Sequence, residues 1–141
     1  MHFLSEHLHP MAVHFPIALF ISAFLLNTLG LILKNESLQR TALYIYVLAA
    51  LFAPLTVQTG LWEQQEFNLQ HPILGLHKIF AFLTLWSSWL SLPILWLSQR
   101  LGPKNFKTAF MILSFLLAVF VSLTGYFGGK MVYEYGIGVE M

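Results

Sequence analysis

The sequence has 141 residues, 57% of them hydrophobic and 9% charged, with a formal net charge of +1 and a mean hydropathy of +0.72. A soluble domain carries about 25% charged residues, so this composition sets aside a soluble globular fold, and the small net charge sets aside a basic field for nucleic acid. The absence of cysteine excludes disulfides, thiolate zinc sites, iron–sulfur clusters and covalent c-type haem attachment.

Residues 1–10 contain no Lys or Arg and include Glu6, so they lack the basic region of a secretory signal, and the first apolar helix is expected to be retained. A membrane-crossing helix needs about 20 mostly apolar residues. The first such stretch runs over about 11–33 and stops at Lys34-Asn35-Glu36-Ser37. The second covers about 41–62 and stops at Glu63-Gln64-Gln65-Glu66. The third covers about 75–98, ending before Arg100-Leu101-Gly102-Pro103, and the fourth about 107–127, ending at Gly128-Gly129. Breaks this short join antiparallel neighbours. The predicted fold is therefore an all-α, integral membrane four-helix bundle forming a single domain over 1–141. Its glycine- and aromatic-rich tail, 128–141, is expected to fold back over one mouth of the bundle or to anchor at the interface. Pro16, Pro54 and Pro93 lie inside the spans, where each frees a backbone carbonyl.

Lys34 and Arg40 lie between the first two spans, and Arg100, Lys104 and Lys107 between the last two. The other end carries Lys78 and Lys130 beside Glu6, Glu63, Glu66, Glu134 and Glu140. The positive-inside rule then puts both basic loops in the cytoplasm and both termini outside, which in a bacterial inner membrane is the periplasm. All six histidines, His2, His7, His9, His14, His71 and His77, fall at the outer end.

The chain reads as two copies of a helical hairpin. His9-Pro10 with His14 resembles His71-Pro72 with His77, and Thr59-Gly60 resembles Thr124-Gly125, at separations of 62 to 65 residues. Parallel repeats of this kind are related by an axis along the membrane normal. This register makes His14 and His77 equivalent, one turn below the outer surface on diagonal helices. Beneath them run small residues: Ala18 and Ser22; Ala81, Thr84 and Ser88; Ala49, Ala53, Thr56 and Gly60; Ser114, Ala118, Ser122, Gly125 and Gly129. Such stripes serve close helix packing, or leave room for a flat cofactor.

A histidine inside a span is costly unless paired, and marks a functional site. Two facing imidazoles without cysteine suit axial ligation of a b-type haem. The expected iron ligands are His14 and His77, with Gly60 and Gly125 giving room and Lys78 and Lys130 meeting the propionates. His9 and His71 are expected to cap helices, or to hold a second haem or a metal ion. His7, His9, His14 and His71 would form a copper or zinc site in a metal-handling alternative. No nucleophile–base arrangement stands out, so no enzyme activity is expected.

The segment His9-Pro10-Met11-Ala12-Val13-His14-Phe15-Pro16-Ile17-Ala18-Leu19 resembles the signature of the DUF2231 family of predicted bacterial membrane proteins. Residues 128–139 resemble that family's C-terminal motif, and Thr59-Gly60 and His77 fit its pattern. The resemblance covers nearly the whole chain. It implies a small four-helix membrane domain, in some members joined to c-type cytochrome modules, which favours electron transfer. His9, His14, His77, Gly128 and Gly129 are the residues it carries over, while His71 rests on the repeat. The expected role is a non-enzymatic b-type cytochrome working in the outer half of the bilayer, with a periplasmic c-type cytochrome or a larger respiratory complex as partner. The alternatives are a cofactor-free structural or assembly subunit and a copper- or zinc-binding protein.

Overall fold

The computed structural model describes the backbone of residues 2–66 and 68–137, and the side chains of 8–66 and 68–137. It consists of four long helices: α1 (His2–Ile32), α2 (Glu36–Glu66), α3 (Pro72–Arg100) and α4 (Pro103–Tyr133). No strand occurs among the described residues. Each helix has 29 to 31 residues, a length of roughly 45 Å against an apolar bilayer thickness of about 30 Å. The elements therefore outrun the apolar windows read from sequence, because backbone pairing continues into the polar flanks. The predicted tail likewise begins as helix, with 128–133 forming the end of α4. Residues 138–141 of that tail lie outside the described residues.

The helix ends follow from local chemistry. At the end of α1, Lys34 adopts φ 51° and the Asn35 N–H reaches back to the Gly30 carbonyl at 2.8 Å, closing a Schellman turn. The Asn35 side chain then caps α2, accepting from the Ser37 and Leu38 N–H groups. Asn68, at φ 48°, ends α2 in the same way, with the Leu69 N–H bonded to the Gln64 carbonyl. Pro72 and Pro103 occupy first turns of α3 and α4, where a missing N–H costs nothing.

α1 packs on α2 and α4, and α3 on α4 and α2, so α1 and α3 are diagonal. Small and polar residues are buried beside one aromatic and aliphatic cluster, while large apolar side chains cover the exterior. Asn27, Thr84, Ser88, Ser91 and Ser114 are buried, while Leu25, Leu55, Trp86, Leu90 and Trp96 are exposed. All four helices are long and apolar enough to cross a membrane. In lipid this inside-out pattern is the stable one, since buried hydroxyls bond within the bundle and the apolar surface meets acyl chains.

The two hairpins repeat, at a separation of 68 residues rather than 62 to 65. Buried Phe20, Ala23 and Asn27 of α1 correspond to buried Ser88, Ser91 and Leu95 of α3. Ala42, Tyr46, Ala49, Ala50 and Ala53 of α2 correspond to Phe110, Ser114, Leu117, Ala118 and Val121 of α4. The positive-φ positions obey the same spacing, Lys34 with Gly102 and Asn68 with Gly136. Sizes are exchanged across the pseudo-twofold axis: Phe20 faces the role of Ser88, and Tyr46 that of Ser114. Phe20, Tyr46 and Phe110 thus pack edge to face in one cluster, and the Tyr46 hydroxyl donates to the Ser91 hydroxyl at 2.7 Å. This size exchange conceals the true register from a residue-by-residue match.

The register also rotates α1. Its inward stripe is His9, Val13, Pro16, Phe20, Ala23 and Asn27, whereas Ala18 is exposed and Ser22 half-buried. His14 stands above Ala18 and is exposed with it.

Candidate functional site

His9 and His77 occupy equivalent places in the two hairpins. The His9 Nδ1 lies 3.1 Å from the Thr56 carbonyl of α2, and the His77 Nδ1 lies 3.0 Å from the Thr124 carbonyl of α4. A carbonyl only accepts, so both Nδ1 atoms carry the proton and donate. The Thr59 hydroxyl sits 3.1 Å from the His9 Nδ1 and itself donates to Thr56, so it adds a second acceptor for His9 alone. This tautomer leaves the Nε2 of each neutral ring with a free lone pair, the state a metal ligand needs. Neither Nε2 has a hydrogen-bond partner among the described residues.

The two rings meet in a T-shaped arrangement, with centroids 6.1 Å apart and planes at 86°. Both are half-buried. Each is admitted by a glycine one turn beyond its carbonyl partner. A Cβ on Gly60 would stand 2.7 Å from the His9 Cε1, and one on Gly128 would stand 3.3 Å from the His77 Cε1. The pair lines a cavity of about 440 Å³, largely apolar, bounded by all four helices and by Ile137 beyond the end of α4.

The structure brings His9, not His14, to the pairing contact with His77. His14 lines the same cavity, but its ring is exposed and its Nδ1 is bonded to the Pro10 carbonyl of its own helix. His71 is not gathered with His9. It caps α3, its Nδ1 accepting from the Ile73 N–H at 3.3 Å, and its ring packs on Tyr135 at 4.4 Å. Among the described residues no group of three or more His, Cys, Asp or Glu converges as for a metal ion. The side chains of His2 and His7 lie outside the described residues. Gly60 and Gly125 both line the cavity, and Gly60 touches an imidazole while Gly125 meets Ile17. Lys78 lines the cavity and donates to the Gln64 Oε1 at 2.8 Å. Lys130 pairs instead with Glu134 at 3.1 Å and stands over the Tyr126 ring, off the cavity wall.

A model of the DUF2231 family, described as a predicted membrane protein, matches residues 5–141. The chain belongs to the DUF2231 family. No curated protein and no solved structure matches it. Sequence reading named His9 as a candidate, but missed that His9 rather than His14 meets His77, and missed the contacts of Gly60 and Gly128 with the imidazoles. The signal for His9 was present. Extending the inward stripe of α1 upward from Asn27 through Phe20 and Pro16 arrives at His9 by alternating steps of three and four.

Proposed function

We propose that this protein is a b-type haem-binding membrane cytochrome, not a stand-alone enzyme, with His9 and His77 as the axial ligands. The observation that carries the reading is the imidazole pair itself. His9 and His77 would hold a haem iron through their Nε2 atoms, and the iron would supply one-electron transfer. The rings stand 6.1 Å apart with both Nδ1 protons committed outward. Backbone carbonyls of this kind fix ligand tautomers and raise ligand basicity. The cavity volume lies within the range of cofactor sites, roughly 300–1,000 Å³. Lys78 is the cation placed for a propionate. The basic loops at the opposite end orient the histidine end outward, toward the periplasm of a bacterial inner membrane. One haem there serves transfer along that face, to a partner such as a c-type cytochrome or a respiratory complex, rather than across the bilayer.

The same imidazole pair, without a third protein ligand, would also suit a monovalent copper ion. One preparation separates the readings. Purified protein expressed with haem supplied is examined by reduced-minus-oxidised absorption and by metal analysis. A b-type signal that is lost in His9→Ala and in His77→Ala but kept in His14→Ala supports the proposal. Copper without haem favours the second reading. Neither group in the wild type overturns both and leaves a structural or assembly role.

A further inference from the structure

The pseudo-twofold repeat exposes one place where the halves differ in chemistry. Between α2 and α3, at the histidine end, lies a groove of about 740 Å³. It shares Gln64, Leu69, Leu74, Lys78 and Phe82 with the imidazole cavity, so the two spaces adjoin. Its outer wall is apolar and exposed, with Trp86 at 60%, and therefore opens to lipid. Its polar end holds two N–H donors. The Lys78 ammonium gives one proton to Gln64, and among the described residues no other acceptor takes the rest. The His71 Nδ1 accepts from the Ile73 N–H, which leaves the ring proton on Nε2 as a donor. On the α1/α4 side the equivalents of Lys78 and Gln64 are Pro10 and Val132, which offer no donor side chain.

We propose that this groove binds the head group of a membrane-soluble quinone. Such a molecule is flat, presents two carbonyl acceptors, and trails one apolar tail into lipid. Lys78 and His71 supply donors for acceptor oxygens, Phe82 and Trp86 supply an aromatic wall, and the open side accommodates the tail. An anionic phospholipid fits less well, since phosphate sites of this kind gather several cations at headgroup level. Here a single lysine, already shared with Gln64, stands in the wall between the groove and an apolar cavity. The inference goes beyond the haem reading and does not depend on it.

The test uses the full chain prepared without haem, in phosphatidylcholine nanodiscs. It is titrated with a short-chain ubiquinone while tryptophan fluorescence is followed. Saturable quenching is expected, with the saturable part lost in Trp86→Phe. Lys78→Met should bind about tenfold more weakly, the effect of one charged hydrogen bond. His71→Asn keeps a capping oxygen for α3 but removes the ring donor, and should weaken binding about threefold. Quenching that rises without saturation, or that is unchanged in Lys78→Met, overturns the proposal. Loss of quenching when phosphatidylglycerol replaces part of the lipid assigns the groove to a lipid head group and also overturns it.

Discussion

Replacing Gly60 with Ala places a methyl group against the His9 ring. The new Cβ stands 2.7 Å from Cε1 and 3.1 Å from both ring nitrogens, where ordinary contact begins at 3.4 Å. The ring must therefore retreat from α2 by ~0.7 Å to reach ordinary contact. The bonds holding it, at 3.1 Å to the Thr56 carbonyl and to the Thr59 hydroxyl, both run to that same helix. The retreat stretches them to ~3.8 Å, beyond a hydrogen bond. Leaving the ring proton without its acceptors costs about 1–3 kcal/mol. Alanine returns up to about 1 kcal/mol of helix preference over glycine. The expected net loss is about 1–2 kcal/mol. Gly128→Ala is the internal control, because its Cβ would meet the His77 Cε1 at 3.3 Å and Nδ1 at 3.4 Å, a gap closed by ~0.1 Å of movement. His77 keeps its 3.0 Å bond to Thr124, so this variant should be neutral or up to about 1 kcal/mol more stable. Reversible unfolding of both variants in mixed micelles measures the difference. Equal stabilities, or a Gly60→Ala variant more stable than Gly128→Ala, would refute the close-approach reasoning.

Three further outcomes follow from particular contacts. Gly30→Ala should destabilise the protein by about 2 kcal/mol in the same unfolding assay, because its Cβ would sit 2.8 Å from the Gln39 Cγ and 3.0 Å from the Gln39 backbone nitrogen. Tyr46→Phe should cost only about 1 kcal/mol, since Ser91 keeps its own bond to the Ser88 carbonyl, whereas Tyr46→Ala should cost about 3–5 kcal/mol by opening the aromatic cluster. At the equivalent α1–α2 and α3–α4 turns the signs should oppose: Lys34→Gly relieves a lysine at φ 51° and gains about 0.5–1 kcal/mol, while Gly102→Ala, at φ 115°, loses at least 1 kcal/mol. Paired unfolding curves check both.

Much of the bundle was legible from one dimension. The low charge and four apolar stretches announce the spans, because the bilayer sets both the length and the polarity of any helix that crosses it. The hairpin repeat was visible too, but in a displaced register. His9-Pro10 matches His71-Pro72 as text, yet His9 lies inside α1 while His71 caps the start of α3. Gly60 matches Gly125 as text, yet Gly60 and Gly128 are the glycines that touch imidazoles. Identity-based matching fails here because the two halves pack against each other, and a bulky side chain in one half requires a small one in the other.

By itself the sequence determined what the solvent dictates: four membrane-crossing helices, short turns between them, histidines gathered at one end and both basic loops at the other. These follow from hydropathy, helix geometry and turn chemistry, each decided within a few residues. Only the tertiary structure decided which histidines meet. The rotation of α1 about its own axis is set by the fit of Phe20, Ala23 and Asn27 into the bundle, about three to five turns away from His9. That rotation turns His9 inward to His77 and leaves His14 exposed at the cavity wall, because a helix presents one face at a time and packing along its whole length chooses which.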